Sequence, residues 1–243
     1  MTIPADAPAM PEGLRELAAR LQLGPGVGVW VNELGGVTFV FPEAGQYVKW
    51  LPHHPEFDVT VEAARLAWAG AYTSVPEVLE VGRDASAQWL RTRALPGRSA
   101  VDPRWRAEPR PAVRALGRGL RALHDRLPVA DCPFDWSVES RAARARKPAD
   151  RALIAQAPPI DRLVVCHGDA CAPNTLIDDD GEVTGHVDLL RLGVADRWAD
   201  LAVATYSLSW NYPGDWSEEL LDAYGIEPDE ERIAFYRRLW DAT

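Results

Sequence analysis

The stretch VVCHGDACAPNTLIDDDGEVTGHVD, residues 164 to 188, constrains this chain more than any other. DRLVVCH reads as a short buried strand, an apolar run of Val and Leu that ends at a polar triplet. TLIDDDGEVTGHVD reads as a β-hairpin whose Asp-Asp-Gly supplies the tight turn. Two strands joined in this way return the chain to its starting level. Asn174, just before the first strand, and Asp188, just after the second, are therefore expected side by side, with His167, Gly168 and Asp169 ahead of them.

That pairing has a chemical reading. Amide and carboxylate oxygens are hard ligands, and two of them converging without a Cys or His cluster suit Mg²⁺ carrying phosphates better than zinc. Asp169 is then left to act on a hydroxyl. An Asp that orients a hydroxyl and accepts its proton, with an Asn and a second Asp holding Mg²⁺ on a nucleotide, is a phosphoryl-transfer set. It needs a Lys for the early phosphates and a helix carboxylate to hold that Lys. Lys49 in QYVKWL and Glu62 in VEAARLAW fit, thirteen residues apart, and the turn ELGGVTF with Gly35 and Gly36 precedes them as a phosphate cover.

The rest of the chain divides around these residues. EGLRELAARLQL, from Glu12, places Leu14, Leu17, Ala18 and Leu21 on one helical face and is stopped by LGPGVG. VGVWVNELGGVTFVF and GQYVKWL read as strands, VTVEAARLAWAGAY as a helix, and SVPEVLEVGRDASAQWLRTRALPG as two further strands. Beyond this, PRPAVRALGRGLRALHDRL sets Val113, Leu116, Leu120, Leu123 and Leu127 at spacings of three and four, a buried helical stripe. The helical pattern resumes after Trp198. An α+β chain is predicted, with an antiparallel sheet first and helices after.

The motifs VVCHGDACAPN, VTGHVDLLRLGVADRWADLA and YGIEPDEERIAFYRRL resemble those of the aminoglycoside O-phosphotransferases, the 3′ and 3″ enzymes, which have a protein-kinase-like two-lobed fold. The His-Gly-Asp, Asn and Asp pattern is shared by many small-molecule kinases, and RLGVADR narrows it to this branch. The resemblance implies a nucleotide-binding lobe over residues 1–92, a hinge at 93–97, and a helical catalytic and substrate lobe over 98–243. It implies Asp169 as the catalytic Asp, Asn174 and Asp188 as Mg²⁺ ligands, and Lys49 with Glu62 as the phosphate clamp of an ATP site beneath ELGGVTF. It further implies that the Thr92 carbonyl and the Ala94 N–H bond adenine, that His167 braces the catalytic loop, that Asp196 and Asp200 anchor it, and that Arg191 lies close to the reacting groups.

Several stretches depart from the family. Where relatives carry acids for the amines of the drug, this chain has TYSLSWNYPGDW, with Tyr206, Ser207, Trp210 and Asn211 and no acid before Asp215. The segment ahead of the catalytic strand is short and basic, SRAARARKPADR. Leu190 stands where a small residue usually follows the Mg²⁺ Asp, ELGGVTF lacks a Ser, and the last residues are WDAT, leaving Asp241 and Thr243 for the substrate role of the family's terminus. The resemblance makes an aminoglycoside hydroxyl the expected acceptor, while these departures motivate another hydroxylated antibiotic or metabolite as the alternative and a catalytically silent nucleotide-binding protein as a third reading.

Composition bears on partners. A net charge of −10 suits a cationic small molecule and argues against nucleic acid and anionic membrane. Cys132, Cys166 and Cys171 form no CxxC pair, as in a reduced cytoplasmic protein, and the two beside the catalytic loop read as packing residues. LGPGVG lacks the third glycine of a dinucleotide fingerprint, with Val31 in its place. HHP at 53 to 55 reads as loop, and the basic run 141–151 as a solvated helix face.

Overall fold

The structure is a computed structural model, which describes residues 8–32, 34–55, 58–144, 152 and 154–243. The chain forms two compact units, Met1–Gly70 with Pro76–Ala94, and Ala71–Val75 with Leu95–Thr243.

The first unit is a five-stranded antiparallel sheet of β1 (Val27–Val31), β2 (Val37–Phe41), β3 (Gln46–Pro52), β4 (Val78–Arg83) and β5 (Ala87–Arg93), in the order β1-β2-β3-β5-β4. β2 alternates buried and half-buried residues, as a strand with one face on a core does. Helix α1 (Glu12–Arg20) lays Leu14, Leu17 and Ala18 into that core against Phe39, Phe41, Val48 and Trp50. Trp50 stacks on Trp89 across the β3–β5 pair, ring centroids 5.2 Å apart. Helix α2 (Val59–Ala69) starts where the Asp58 side chain accepts the Thr60 N–H, a cap that helix N-termini need. It stops at Ala69, short of the Tyr72 expected from its pattern, because Gly70 closes it.

The second unit holds β6 (Arg98–Ser99), β7 (Leu163–Cys166), β8 (Thr175–Ile177), β9 (Val183–His186) and β10 (Gly193–Asp196), as sheets β6-β8-β9 and β7-β10. Its helices are α3 (Pro103–Ala107), α4 (Pro109–Arg126), α5 (Val138–Arg144), α6 (Trp198–Asn211), α7 (Ser217–Tyr224) and α8 (Glu230–Ala242). The stripe Val113, Leu116, Leu120 and Leu123 is the buried face of α4, as its spacing requires. α6 is buried on most sides, and α8 packs against it with Ile233, Phe235, Tyr236 and Leu239.

The β8–β9 hairpin pairs Thr175 with His186 and Leu176 with Gly185. Asp178 Oδ1 accepts the N–H groups of Asp180 and Glu182, and Gly181 takes the left-handed φ of 85° that closes the turn. Residues 145–151 of the basic run lie outside the described residues. Arg141, which belongs to the same run, is no solvated residue: it is 1% exposed and stacks 4.8 Å from the Trp136 ring centroid. Burial, and secondarily the charge of Arg191, lowers its pKa to about 10. Among the described residues no helix is long and apolar enough to cross a membrane.

Candidate active site

Each unit carries one cluster of the residues singled out above. In the first, Lys49 sits on β3 opposite Leu90 of β5, and its Nζ donates to both oxygens of Glu62 on α2 at 2.8 Å. Glu62 is almost fully buried, and a carboxylate there is held by such a partner. The Gly35-Gly36 turn is organised by a residue that sequence reasoning passed over: the Asn32 side-chain oxygen accepts from Leu34 N–H at 3.0 Å and Gly36 N–H at 2.7 Å. Gly35 has a φ of 80°, which L side chains rarely adopt. Thr92 lies buried on β5. The Ala94 N–H, which the resemblance offers to adenine, donates to the Gly45 carbonyl at 2.9 Å, so adenine would have to take the place of that bond.

In the second unit, the loop from His167 to Asn174 is pinned at its start by Asp200 of α6. One Asp200 oxygen accepts the His167 N–H at 2.6 Å and the other the Gly168 N–H at 2.9 Å. His124 of α4 meets the first of these oxygens at 3.0 Å and Tyr224 at 2.8 Å. These hydrogen bonds hold Asp200 ionised below the usual carboxylate range, against the opposing effect of burial. The Cys166 and Asp200 side chains complete a buried trio with His124, but hydrogen bonds already engage all three, so it is a structural knot.

His167 points back along the loop. Its Nδ1 accepts the Asp169 N–H at 3.2 Å, and its Nε2 lies 3.1 Å from the Val187 carbonyl, so Nε2 carries the proton. Gly168 has a φ of 81°, and a Cβ there would lie 2.1 Å from the Arg191 carbonyl oxygen; only glycine fits this approach.

Asp169 is 9% exposed. Its Oδ1 is buried and has no hydrogen-bond partner among the described residues. Burial, then the neighbouring charge of Asp188, raises its pKa, while a Cys171 hydrogen bond and Arg191 oppose the rise. Asn174 Nδ2 donates to the Asp169 carbonyl at 3.0 Å, and Val187 N–H to the Asn174 carbonyl at 2.9 Å. The hairpin thus brings the chain at Asp188 back to Asn174, and Asp188 itself takes a left-handed φ of 62°. Because its nitrogen is engaged, Asn174 has its amide oxygen left for a cation. With the Asp188 carboxylate this is a donor set that fits Mg²⁺.

Arg191 lies over the rings of Trp136 at 5.7 Å and Trp240 at 4.8 Å. Trp210 is 51% exposed and packs on Tyr206 with centroids 4.4 Å apart. Ser207, by contrast, is fully buried and accepts the Ala172 N–H at 2.9 Å, and Asn211 Nδ2 reaches Ser207 Oγ at 3.1 Å. Asp241 is exposed, and the Thr243 hydroxyl takes Arg141 Nη2 at 3.3 Å, tying α8 to α5. Asp196 accepts N–H groups of Asp161 and Trp198 and pairs with Arg232. Burial keeps the Cys166 and Cys171 thiols protonated, which suits packing and not nucleophilic attack. His53 bonds the Asp84 carbonyl.

A loop that presents a buried carboxylate beside an Asn and Asp donor pair, on a helical unit following an antiparallel sheet with a Lys–Glu clamp, defines a kinase-like phosphotransferase. The model of the phosphotransferase enzyme family matches residues 53–236. An aminoglycoside 3′-phosphotransferase of Streptomyces fradiae is 37% identical, over 86% of this chain and 92% of its own. The crystal structure of an aminoglycoside 3′-phosphotransferase of type VIII shares 32% identity with a TM-score of 0.76, covering 95% of this chain and 97% of its own. The aminoglycoside phosphotransferase APH(3'')-Id of Streptomyces rimosus, solved in complex with ADP and streptomycin, shares 28% identity with a TM-score of 0.71, covering 96% and 99% of the two chains. The chain belongs to the phosphotransferase enzyme family, on its aminoglycoside O-phosphotransferase branch.

Proposed function

We propose that this protein transfers the γ-phosphate of ATP to a hydroxyl of an aminoglycoside. The observation that carries the reading is Asp169: a carboxylate held by its loop, with one oxygen bare, next to the Asn174 and Asp188 donor pair. Asp169 Oδ1 accepts the proton of the acceptor hydroxyl as that oxygen bonds to the γ-phosphorus; the bond from the γ-phosphorus to the β–γ bridging oxygen breaks, and ADP leaves with the electron pair. Asn174 and Asp188 would hold Mg²⁺, which offsets phosphate charge when bound. Lys49, fixed by Glu62, binds the earlier phosphates, and the Asn32-braced turn with Gly35 and Gly36 offers backbone N–H groups to the nucleotide. Arg191 and Trp210 would meet the acceptor. Most of the rate comes from positioning and electrostatics. The solved relative that holds ADP and streptomycin supports both ligands.

A second acceptor class has its own observation. Trp210 and Tyr206 form an aromatic face where relatives carry acids, which favours a hydroxylated compound with fewer amines. Steady-state ADP release across kanamycin, neomycin, streptomycin and non-aminoglycoside hydroxylated antibiotics separates the two. Saturable turnover of an aminoglycoside that disappears in Asp169→Ala is the expected result; full transfer by Asp169→Ala would sink the mechanism.

A further inference from the structure

The hydrogen bonds that pin the catalytic loop do not end at Asp200. A carboxylate turns about a broad, two-fold torsion unless its oxygens are engaged. The loop N–H groups of His167 and Gly168 take one oxygen each, and a third donor, His124 Nε2 at 3.0 Å, comes from α4. The His124 and Asp200 side chains are fully buried, where every polar atom needs a partner. A carboxylate only accepts, so Nε2 carries a proton, and in that tautomer Nδ1 is an acceptor. The Tyr224 hydroxyl, at the end of α7, meets Nδ1 at 2.8 Å, with the two rings edge to face and their centroids 5.6 Å apart. Burial raises the Tyr224 pKa to about 12, so the hydroxyl keeps the proton it donates. α7 comes this near because Gly117 of α4 has no side chain: a Cβ there would lie 2.4 Å from the Leu220 carbonyl oxygen. At the other end, both peptide groups of Asp169 are held, its N–H by His167 Nδ1 at 3.2 Å and its carbonyl by Asn174 Nδ2 at 3.0 Å.

We infer that Tyr224 and His124 are positioning residues for phosphoryl transfer, the outer members of a directed hydrogen-bond chain that runs from α7 through α4 and Asp200 to the backbone of Asp169. Each donor has one acceptor to face: Tyr224 O–H to His124 Nδ1, His124 Nε2–H to Asp200 Oδ2, His167 N–H to that same oxygen, and Asp169 N–H to His167 Nδ1. Neither residue touches a reacting group. What they supply is direction. Without His124 the Asp200 carboxylate keeps its two loop bonds and loses the one that fixes it from α4. Without the Tyr224 hydroxyl the imidazole is free to move its proton to Nδ1, which sets a bare ring nitrogen against a carboxylate oxygen. Two lone pairs then face each other, and the loop that carries Asp169 shifts to part them.

The inference rests on the phosphotransferase reading of Asp169, so the experiment includes Asp169→Ala as the test of that reading alone. With the aminoglycoside turned over fastest in the acceptor panel, kcat and the KM values for MgATP and acceptor are measured for the parent, Tyr224→Phe, His124→Gln, His124→Leu and the double variant Tyr224→Phe/His124→Leu. The melting temperature of each protein is taken alongside. Nitrogen NMR of isotope-labelled histidine reads the His124 tautomer in the parent and in Tyr224→Phe, and needs no turnover. A reacting group misplaced by about 1 Å loses up to about a hundredfold in rate. His124→Leu is therefore expected to lose about ten- to a hundredfold in kcat with both KM values within about threefold, and Tyr224→Phe about fivefold. His124→Gln, whose amide again donates to Asp200, regains most of the loss. The double variant is no worse than His124→Leu, as members of one chain are not additive. The NMR signals are expected to show Nε2 protonated and Nδ1 bare in the parent, and a mixture of tautomers in Tyr224→Phe. Parental kcat in Tyr224→Phe and His124→Leu, even at a lowered melting temperature, makes both residues structural and overturns the inference. So do equal losses in the Leu and Gln variants, multiplied losses in the double variant, or a parent whose Nδ1 carries the proton. Each of these leaves the function standing, whereas full transfer by Asp169→Ala removes the function itself. If His124→Leu does not fold, Tyr224→Phe decides: a loss of kcat at unchanged melting temperature supports the chain, and parental kcat overturns it.

Discussion

At the scale of single residues, the loop around Asp169 leaves little room for change. Gly168 combines a φ of 81° with a virtual Cβ 2.1 Å from a backbone oxygen that belongs to Arg191. Gly168→Ala adds the left-handed penalty of about 1–2 kcal/mol to an overpacking cost of about 1–3 kcal/mol. A denaturant midpoint lowered by the equivalent of about 2–5 kcal/mol is expected, together with loss of transfer, because relief of the clash shifts the Arg191 backbone or the loop itself. An unchanged midpoint would show that the loop has slack here. Lys49 is the other sensitive residue. Charge-assisted hydrogen bonds are worth about 1.5–3 kcal/mol, so Lys49→Met should raise the KM for ATP by about ten- to a hundredfold. Glu62→Gln, which leaves Lys49 charged but less firmly held, has the smaller effect in the same titration.

Secondary-structure elements show what the sequence made legible and what it hid. The β8–β9 hairpin was readable because its turn chemistry is local: Asp178 and Gly181 act on residues within four positions. α4 was readable because its apolar stripe repeats at the helical period. The hold of α6 on the loop was legible only in part: the resemblance pointed to Asp200, whereas Ser207 looks like an ordinary polar helix residue until folding sets its hydroxyl against the Ala172 N–H, 35 positions away. Asn32 escaped notice for another reason. Side-chain capping of a glycine turn depends on loop conformation, and sequence attention goes to the glycines. Arg141 was misassigned because a run of Arg and Ala looks solvated, whereas a Trp136 ring and the Thr243 hydroxyl take it inside.

Asp200 is where α6 contributes most to the loop, and it gives a pH-dependent prediction. Burial pushes its folded pKa up, but the His124 hydrogen bond, the electrostatic effects of His124 and His167 and the Gly168 N–H outweigh it and leave the pKa below its ordinary value of 3.8. A depressed carboxylate adds stability that is present above the unfolded value near 3.8 and is lost as pH falls through the lower folded value. Asp200→Asn should therefore cost about 1–3 kcal/mol at neutral pH, and the gap between variant and parent should narrow as the pH drops below about 4. Urea midpoints for both proteins at pH 7 and pH 3.5 measure this. A gap that is the same at both values would mean that the contribution is shape and not charge.

For the whole molecule, charge separates the two acceptor classes. The chain carries 36 acidic against 26 basic residues, and a surface of that sign raises the local concentration of a polycation. Around the proposed site the charge is less uniform, since Arg191, whose charge acts on Asp169, lies over the rings of Trp136 and Trp240. On the proposed function, attraction from the surface would guide an aminoglycoside in, and the aromatic face at Trp210 and Tyr206 would sort it at close range. Salt screens the first effect and not the second, with a Debye length of about 10 Å at 0.1 M that shrinks to about 3 Å at 1 M. If the acceptor is a polycation, its KM should rise several-fold between low salt and about 0.5 M, whereas the KM of a neutral hydroxylated acceptor should stay flat over the same range. Measuring acceptor KM at three ionic strengths, with kcat as the internal control, distinguishes them: a flat KM for every aminoglycoside turned over would mean that recognition lies in the aromatic face at Trp210 and that the negative surface takes no part in it.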